Sequence, residues 1–318
     1  MIEPEEDSTI DVDSGFIKKK KFVIVFDLDG VICKPPMSGF PSGLCSLMTQ
    51  SAEIDQFPQL HPECPLPILF KSRVEEYYHF FPPYLDVLIK YLIENGSRIV
   101  FFSAGNEDRN KFLVDALLST ILGRQYYQQL KEKGQFSVFS SNNLRRSYHL
   151  HETGVGMIHG HYVKDLAQVL QDDEVIENSI LVEDQPAYAA FNSKPCIMSL
   201  ILYQWDILSF NDSELSFPKN NVYYLLGIFS SYFDSDKSLS LSLREGIEKI
   251  YQEKVSPDHL KNGNAPLEKF HPFVLEMISL GLLEVQKQRP DAVFYGTKCI
   301  EGKVMSKYHK MAPKPLVI

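Results

Sequence analysis

The sequence has few of the residues that mark secreted, zinc-finger and membrane proteins. Five cysteines are scattered over 318 residues without a Cys-x-x-Cys pair, so the sequence indicates neither a disulfide framework nor a zinc site. No apolar run approaches the roughly 18 residues of a membrane span, and the acidic start lacks a signal-peptide pattern. We therefore expect a soluble protein of a reducing cytosol, and export by a route that needs no N-terminal signal stays open.

A surplus of positive charge is also missing. The chain has a formal net charge of −9, with 44% hydrophobic and 23% charged residues. The negative balance argues against a general nucleic-acid binder, so no nucleic-acid partner is expected. The hydrophobic and charged fractions are typical of a globular protein, and the length allows one large domain or two.

Composition divides the chain into three parts. Residues 1–20 begin with an acidic stretch and are expected to form a flexible leader. Residues 21–235 carry the strand and helix patterns of a main domain, whereas residues 236–318 carry helical patterns alone. Inside the main domain, the proline-rich segment 34–80 is too long for a simple connection and predicts a flap or small cap.

Apolar runs and helical spacings alternate through the main domain. Strands are predicted at 22–26, 98–102, 136–139, 178–182 and 197–202, and helices at 82–94, 107–119, 122–133 and 163–170. This alternation predicts an α/β fold with a doubly wound, Rossmann-like parallel sheet. Further helices are predicted at 237–254, 272–286 and 301–310, and they would form a helical module appended to that sheet.

The first strand ends in a pair of acidic residues. The apolar residues 22–26 are followed by Asp27 and Asp29. Because ligands bind at the carboxyl ends of parallel strands, both carboxylates would lie at the ligand edge, where they could bind Mg²⁺. A carboxylate there can also attack a phosphoryl group. A polar turn that merely ends the strand is the alternative, but an uncompensated acidic pair on a buried strand is costly.

A small polar segment follows the second strand of the predicted sheet. Ser103 could donate a hydrogen bond to a phosphate oxygen, and Ala104 and Gly105 would let backbone N–H groups approach the anion. Taken alone, this pattern fits a polar strand end with a turn equally well.

Lys164 and the pair Glu183–Asp184 complete the set of chemical candidates. Phosphoryl transfer needs a cation that holds nucleophile and phosphate together, and Lys164, at the start of a predicted helix, could provide it. A lone lysine is usually only a solvated surface group. Glu183 and Asp184 end another apolar strand, where they would complete an oxygen site for Mg²⁺ unless they form a solvated turn.

These four motifs resemble, in type and order, those of the haloacid dehalogenase (HAD) superfamily of aspartate-based phosphotransferases. Phe-Asp-Leu-Asp-Gly-Val at 26–31 matches the first motif, and the resemblance covers residues 21–230. Gly-His-Tyr-Val-Lys-Asp-Leu at 160–166 is most similar to the branch of small C-terminal-domain and FCP-type protein phosphatases. Glu183 stands where that branch usually has Asp, and Ser103 where it usually has Thr.

The resemblance implies a role for each motif residue. Asp27 would be the nucleophile and Asp29 the general acid and base, and an Asp at this second position marks phosphatases and phosphomutases. Lys164, like Ser103, would be catalytic and bind the phosphate. Mg²⁺ would be held by Asp27, the backbone carbonyl of Asp29, and Asp184, with Glu183 acting through water.

The overall pattern also resembles, less specifically, HAD-type protein tyrosine phosphatases that intracellular bacteria inject into host cells. An open α/β core, an acidic leader and a helical C-terminal module are the shared traits. The resemblance favours a Mg²⁺-dependent phosphoprotein phosphatase that acts on phosphotyrosine through an aspartyl-phosphate intermediate. A phosphoserine or phosphothreonine phosphatase and a small-molecule phosphate monoester phosphatase stay open.

The end of the chain reverses the overall charge. Residues 286–318 hold seven basic and two acidic residues, and the basic ones include Lys298, Lys303, Lys307 and Lys310. Such a segment could bind anionic phospholipid or a phosphoinositide and bring the protein to a membrane. A solvated helical face is the alternative.

Overall fold

The computed structural model describes the greater part of the predicted sheet and its helices. The described residues are 20–33, 66–71, 76–82, 84–149, 159–185, 188–189, 196–198, 221–255, 267 and 271–290. Nearly all of the predicted leader, the proline-rich segment up to residue 65 and the predicted helix at 301–310 lie outside them.

The described residues form nine strands. They are β1 (Phe22–Phe26), β2 (Leu66–Lys71), β3 (Glu76–Phe81), β4 (Ser97–Phe102), β5 (Phe136–Phe139), β6 (Arg145–His149), β7 (His159–Val163), β8 (Ser179–Glu183) and β9 (Cys196–Met198). One sheet contains β5, β4, β1, β8 and β9 in that order, and every neighbouring pair in it is parallel. Two separate antiparallel pairs are formed by β2 with β3 and by β6 with β7.

The strand order is that of a doubly wound sheet. The chain moves from β1 outward through β4 to β5, and then returns to the other side of β1 with β8 and β9. The region beyond the carboxyl end of β1 is therefore a topological switch point, where ligands bind in open α/β sheets. The predicted α/β fold with a doubly wound parallel sheet is confirmed.

The central strand β1 is buried on both of its faces. All five of its residues are buried, as expected for the centre of a parallel sheet. Ile24 packs into a large hydrophobic core on one face, whereas Val23 and Val25 pack into a smaller core on the other. Because this burial fixes the register of the strand, the chain leaves the sheet at a defined point before Asp27.

Seven α-helices lie in the described part of the chain. They are α1 (Leu85–Glu94), α2 (Glu107–Leu122), α3 (Arg124–Glu132), α4 (Asn221–Phe233), α5 (Lys237–Ser240), α6 (Leu243–Lys254) and α7 (Pro272–Gln288). The helix predicted at 237–254 is in fact two helices. Ser242 separates them, because its hydroxyl accepts the backbone N–H of Glu245 and caps the start of α6.

Helix α4 has no amphipathic pattern that would reveal it in the sequence. Eleven of its 13 residues are buried, so no polar stripe marks a solvent face. It crosses α7 at close range, since a Cβ on Gly227 would overlap the carbonyl of Met277 and one on Gly281 would overlap that of Tyr223. Two glycines therefore let the backbones of α4 and α7 touch.

The C-terminal helices share a hydrophobic core with the sheet. Leu243 of α6 and Phe273 of α7 belong to the same buried cluster as Phe22 of β1 and Leu88 of α1. The division at residue 235 between a main domain and a helical module stays a prediction, although the described helices on both sides of it pack together. No helix in the described ranges is long and apolar enough to cross a membrane.

On the opposite face of the sheet, the helix predicted at 163–170 is wrong. Residues 163–170 do not form an α-helix, because β7 runs to Val163 and a single 3-10 turn covers Leu166–Gln168. Pairing with β6 extends the chain up to this point. Asp165 then accepts the backbone N–H of Ala167 and starts the short turn, so Lys164 follows a strand rather than entering a helix.

Candidate active site

The residues predicted for catalysis meet at the carboxyl edge of the sheet. Asp27 follows β1, Ser103 follows β4, and Asp184 follows Glu183 at the end of β8. Lys164 follows β7 and reaches the same edge from outside the sheet. Because β4 and β8 flank β1, their ends bring these groups together at the topological switch point.

Lys164 bridges two buried carboxylates. Its Nζ donates to Oδ1 of Asp27 and to Oε2 of Glu183, both at 2.6 Å. The side chains of Lys164 and Glu183 are fully buried, and Asp27 is only 6% exposed. Charges in such a place are tolerated only when they are paired, so the lysine and the two acids form one unit.

Burial opposes charge on every member of this unit. It raises the pKa of Asp27 to about 7, although the ammonium of Lys164 acts in the opposite direction. Burial also raises the pKa of Glu183. For Lys164, burial alone would lower the pKa, but Asp27 and Glu183 together outweigh it and raise the pKa. Lys164 is therefore positively charged at physiological pH.

The backbone and two aromatic rings position Lys164. Its N–H donates to the carbonyl of Tyr188 at 2.7 Å. Its Nζ lies 5.3 Å from the centroid of the Tyr188 ring and 5.9 Å from that of Phe102, which is within the range of a cation–π interaction. The side chain consequently points into the site rather than to solvent.

Glu183 uses both of its carboxylate oxygens within the protein. Oε2 accepts from Lys164, and Oε1 accepts the backbone N–H groups of Asp184 and Gln185, both at 3.2 Å. This arrangement suits an anchor for Lys164 and for the turn that carries Asp184. A water-mediated contact of Glu183 with a metal ion stays a prediction.

Asp184 completes an oxygen cluster that fits a hard divalent cation. Carboxylate oxygens of Asp27, Glu183 and Asp184 lie within 4.8 Å of one another. Burial, followed by the charge of Asp27, raises the pKa of Asp184. Gly30, at φ 83°, passes so close that a Cβ on it would overlap the Asp184 carboxylate. One lysine cannot balance three carboxylates, and Mg²⁺ prefers oxygen donors, so these residues fit Mg²⁺.

Ser103 turns its hydroxyl toward Asp29. Its Oγ donates to Oδ2 of Asp29 at 3.3 Å and accepts the backbone N–H of Gly105 at 3.2 Å. The buried amide of Asn110 donates to the carbonyls of Ser103 and Gly105 at 3.4 and 3.3 Å, which fixes the loop through Ala104. The structure thus places this predicted phosphate-binding loop beside Asp29.

Arg109 is a residue of this site that the sequence motifs do not reveal. It lies in the first turn of α2, whose N-terminus is capped by the side chain of Asn106. Its Nη1 donates to Oδ2 of Asp29 at 2.7 Å, and its Nη2 donates to Oδ1. The signal in the sequence is positional, because Arg109 comes three residues after the cap of a helix that starts just beyond Ser103.

Two further buried residues border Asp29. The Sγ atom of Cys33 lies 3.6 Å from Oδ1 of Asp29. His79 of β3 is fully buried, and one of its ring nitrogens lies within 4.8 Å of the ligand atoms of both residues. Neither Cys33 nor His79 belongs to the predicted catalytic set.

The predicted lipid-binding lysines lie outside the described residues. They are Lys298, Lys303, Lys307 and Lys310. Contact with anionic phospholipid, membrane association and export into a host cell stay predictions.

Comparisons with known proteins give distant structural matches. No family model matches the sequence, and no curated protein matches it. The structure of Fcp1, described as an essential RNA polymerase II CTD phosphatase, matches with 11% identity and a TM-score of 0.34, over 91% of this chain and 72% of that chain. The fission yeast RNA polymerase II CTD phosphatase Fcp1 bound to beryllium fluoride matches with 10% identity and a TM-score of 0.35, over 94% and 77% of the two chains. Matches at this distance assign no function to the chain.

Proposed function

We propose that this chain is a Mg²⁺-dependent phosphate monoester hydrolase of the HAD type that acts on phosphoproteins, with phosphotyrosine as the favoured substrate. The main support is the buried unit of Asp27, Lys164 and Glu183, which lies next to Asp184 at the carboxyl edge of the sheet. It supplies a nucleophile, a cation and metal-binding oxygens in one place, as phosphoryl transfer requires.

In the first step, Asp27 attacks the phosphorus atom of the substrate. Because Lys164 holds Oδ1 of Asp27, Oδ2 is the oxygen that forms the new P–O bond in line with the leaving group. The ester P–O bond breaks as Asp29, in its protonated form, gives a proton to the leaving oxygen. The products are the free alcohol or phenol and an aspartyl-phosphate on Asp27.

In the second step, water displaces Asp27 from the phosphorus. Asp29, now a carboxylate, takes a proton from the attacking water, whose oxygen forms the new bond to phosphorus. The bond between phosphorus and the Asp27 oxygen breaks, and inorganic phosphate leaves. Asp27 is then a carboxylate again, and Asp29 carries the proton that the next turnover uses.

The remaining groups of the site position and stabilise the reactants. Ser103 and Arg109 hold Asp29 in place, and Lys164 balances the negative charge that gathers between Asp27 and the phosphoryl group. Asp27, Asp184 and the backbone carbonyl of Asp29 would hold Mg²⁺, which when bound would neutralise charge on the phosphoryl oxygens.

Tyrosine side chains near Lys164 support an aromatic substrate. Tyr188 packs on the Lys164 ammonium, and Tyr162, two residues before that lysine, is 51% exposed. The guanidinium of Arg146 lies 5.9 Å from the centroid of the Tyr162 ring. An exposed aromatic ring beside a guanidinium can stack on the phenyl ring of a phosphotyrosine.

Phosphate release by the full chain from matched substrates tests this proposal. The panel contains one peptide sequence with phosphotyrosine, phosphoserine or phosphothreonine, together with sugar phosphates and nucleotides, each with Mg²⁺ or with EDTA. We expect Mg²⁺-dependent release with the highest kcat/KM on the phosphotyrosine peptide. A higher value on the phosphoserine or phosphothreonine peptide would overturn the tyrosine preference, and turnover of metabolites alone would overturn the phosphoprotein assignment.

A further inference from the structure

His79 is a buried histidine that lacks the contacts expected of one. It is fully buried, yet neither of its ring nitrogens has a hydrogen-bond partner within the described ranges. Nearly all buried polar side-chain atoms in proteins have a partner, and leaving such an atom unpaired costs free energy. The unpaired imidazole therefore points to a ligand.

Asp29 and Cys33 are the groups that face this imidazole. One carboxylate oxygen of Asp29, the Sγ of Cys33 and a ring nitrogen of His79 all lie within 4.8 Å of one another. The turn that carries Asp29 and Cys33 is closed by two backbone hydrogen bonds, from the N–H of Gly30 to the carbonyl of Cys33 and from the N–H of Cys33 to that of Leu28, both at 2.8 Å. The two side chains are therefore held on one side of a short, rigid turn.

We propose that Asp29, Cys33 and His79 form a binding site for a borderline-soft divalent metal ion, with Zn²⁺ as the best fit. One oxygen, one sulfur and one nitrogen donor are the combination that zinc accepts, and three protein ligands leave a fourth position open. Donor atoms around a tetrahedral zinc lie roughly 3.4–3.6 Å apart, as follows from its bond lengths. The 3.6 Å between Sγ of Cys33 and Oδ1 of Asp29 is already close to that spacing.

The chemistry of the three groups is compatible with this metal. Burial, followed by the charge of Arg109, lowers the pKa of His79 to about 4, so its imidazole is neutral and able to act as a ligand. Burial raises the pKa of Cys33, which keeps the thiol protonated until a metal ion displaces the proton. The thiolate of Cys33 and the carboxylate of Asp29 would then balance the two charges of the metal.

Arg109 is the group that competes with a metal ion at Asp29. Its Nη2 donates to Oδ1, the oxygen that faces Cys33, while its Nη1 donates to Oδ2. A metal ion on Oδ1 displaces the hydrogen bond from Nη2 and leaves the one from Nη1 to Oδ2 in place. This site differs in ligand chemistry from the all-oxygen cluster of Asp27, Glu183 and Asp184, and it uses the carboxylate of Asp29 rather than the backbone carbonyl that would hold Mg²⁺.

A metal ion at this site would inhibit the enzyme. The inhibition rests on the proposed function, because it follows from the role of Asp29 in moving protons. An Asp29 oxygen that ligates a metal ion no longer exchanges a proton with the leaving group or with water. Binding of the metal ion itself does not depend on that role.

Titration of the full chain with Co²⁺ in excess Mg²⁺ tests the site without an activity assay. Co²⁺ replaces Zn²⁺ in such sites, and its bond to a thiolate gives a charge-transfer band in the near ultraviolet. We expect the intensity of this band to saturate at one equivalent of Co²⁺. Added Zn²⁺ should abolish the band by displacing Co²⁺. Cys33→Ser should remove the band, and His79→Leu should weaken Co²⁺ binding at least tenfold. Cys196→Ser is the matched control, since β9 is separated from β1 by β8, and it should leave the band unchanged.

The unfolding temperature of a variant distinguishes a metal-binding role of His79 from a packing role. Leu fits a buried position without an unpaired nitrogen, so His79→Leu should unfold, in metal-free buffer, at the temperature of the wild type or above it. A wild-type chain without the band, or folded His79→Leu with unchanged Co²⁺ affinity, would overturn the proposal. If His79→Leu fails to fold, Cys33→Ala provides the same test through the loss of the band.

Zinc inhibition connects the site to the proposed function. We expect the Zn²⁺ concentration that halves phosphate release to rise at least tenfold in His79→Leu, with each protein compared with its own zinc-free rate. A Co²⁺ band in a protein without phosphatase activity would reject the proposed function and support the metal site. An active phosphatase without the band would support the proposed function and reject the metal site.

Discussion

Arg109 holds Asp29 by two hydrogen bonds, from Nη1 to Oδ2 at 2.7 Å and from Nη2 to Oδ1. The side chain of Arg109 is 12% exposed and that of Asp29 is 27% exposed, so solvent competes little with this pair. A planar guanidinium that meets both oxygens of a carboxyl group fixes the orientation of that group. Arg109 is thus a positioning residue for the group that we propose as proton donor and acceptor.

Replacement of Arg109 should slow catalysis without weakening substrate binding much. We expect Arg109→Gln to lower kcat roughly tenfold to a hundredfold, because small displacements of a reacting group have effects of that order. The loss should be larger on phenyl phosphate than on p-nitrophenyl phosphate, whose leaving group needs no proton. Steady-state kcat and KM on the two substrates provide the measurement.

Arg124→Gln is the matched control for Arg109. Arg124 is exposed at the start of α3, beyond the 16-residue helix α2 that carries Arg109 in its first turn. Its replacement should leave both rates unchanged. An equal loss on the two substrates in Arg109→Gln would show that this residue does not act through Asp29.

Loss of Lys164 should damage both the fold and the activity. Lys164→Met leaves the carboxylates of Asp27 and Glu183 buried without their shared cation, which we expect to lower the free energy of unfolding by about 3–5 kcal/mol. Adding Glu183→Gln removes one of the two stranded charges and should recover part of that loss. Urea denaturation with a parallel phosphatase assay measures both effects. The double variant should remain inactive, and substantial activity in it would contradict the assigned role of Lys164.

The close approach of Gly30 to Asp184 should make Mg²⁺ binding sensitive to a single methyl group. We expect Gly30→Ala to raise the Mg²⁺ concentration needed for half-maximal activity several-fold, because the added Cβ would displace the Asp184 carboxylate. Gly123→Ala is a matched control, since Gly123 has a similar φ of 80° but open space around it. Both variants should lose stability through backbone strain. A shift in Mg²⁺ dependence in both, or in neither, would argue against this role for Gly30.

The sequence was sufficient to predict the centre of the site. The uninterrupted apolar run of β1 and the acidic residues directly after it define both a buried strand and its functional edge, and Asp27 lies where that pattern predicts. Ser103 and Asp184 follow other strands of the same parallel sheet, so the topology alone brings them near Asp27. In parallel sheets the functional residues lie at the carboxyl ends of the strands, so polar residues directly after a strand can be predicted to lie in the site.

Other features depend on contacts that a linear pattern does not show. The pair of Arg109 and Asp29 joins residues 80 positions apart and depends on the rotation of α2. The sequence predicts Lys164 in the site but on a helix, because the pairing of residues 159–163 with residues 145–149 is not visible in either segment. The sequence does not reveal helix α4, because this helix is buried on nearly all sides and so lacks the polar face that marks most helices.

The crossing of α4 and α7 should be essential to the whole core. We expect Gly281→Ala to lower the free energy of unfolding by about 1–3 kcal/mol, since the added Cβ would overlap the carbonyl of Tyr223. Leu239→Ala, at a residue that is 80% exposed, should have almost no effect. Circular dichroism and loss of activity should report one coincident transition in each protein, because α7 shares its core with β1. Two separate transitions would support an independent C-terminal module instead.

The central claim is that Asp27 becomes phosphorylated during turnover. Acid quench of the full chain during turnover, followed by reduction with borohydride, converts an aspartyl-phosphate to homoserine, which peptide mass spectrometry locates. The proposed mechanism predicts homoserine at position 27 in the wild-type chain and none in inactive Asp27→Asn. Homoserine at another position, or wild-type turnover by Asp27→Asn, would contradict it.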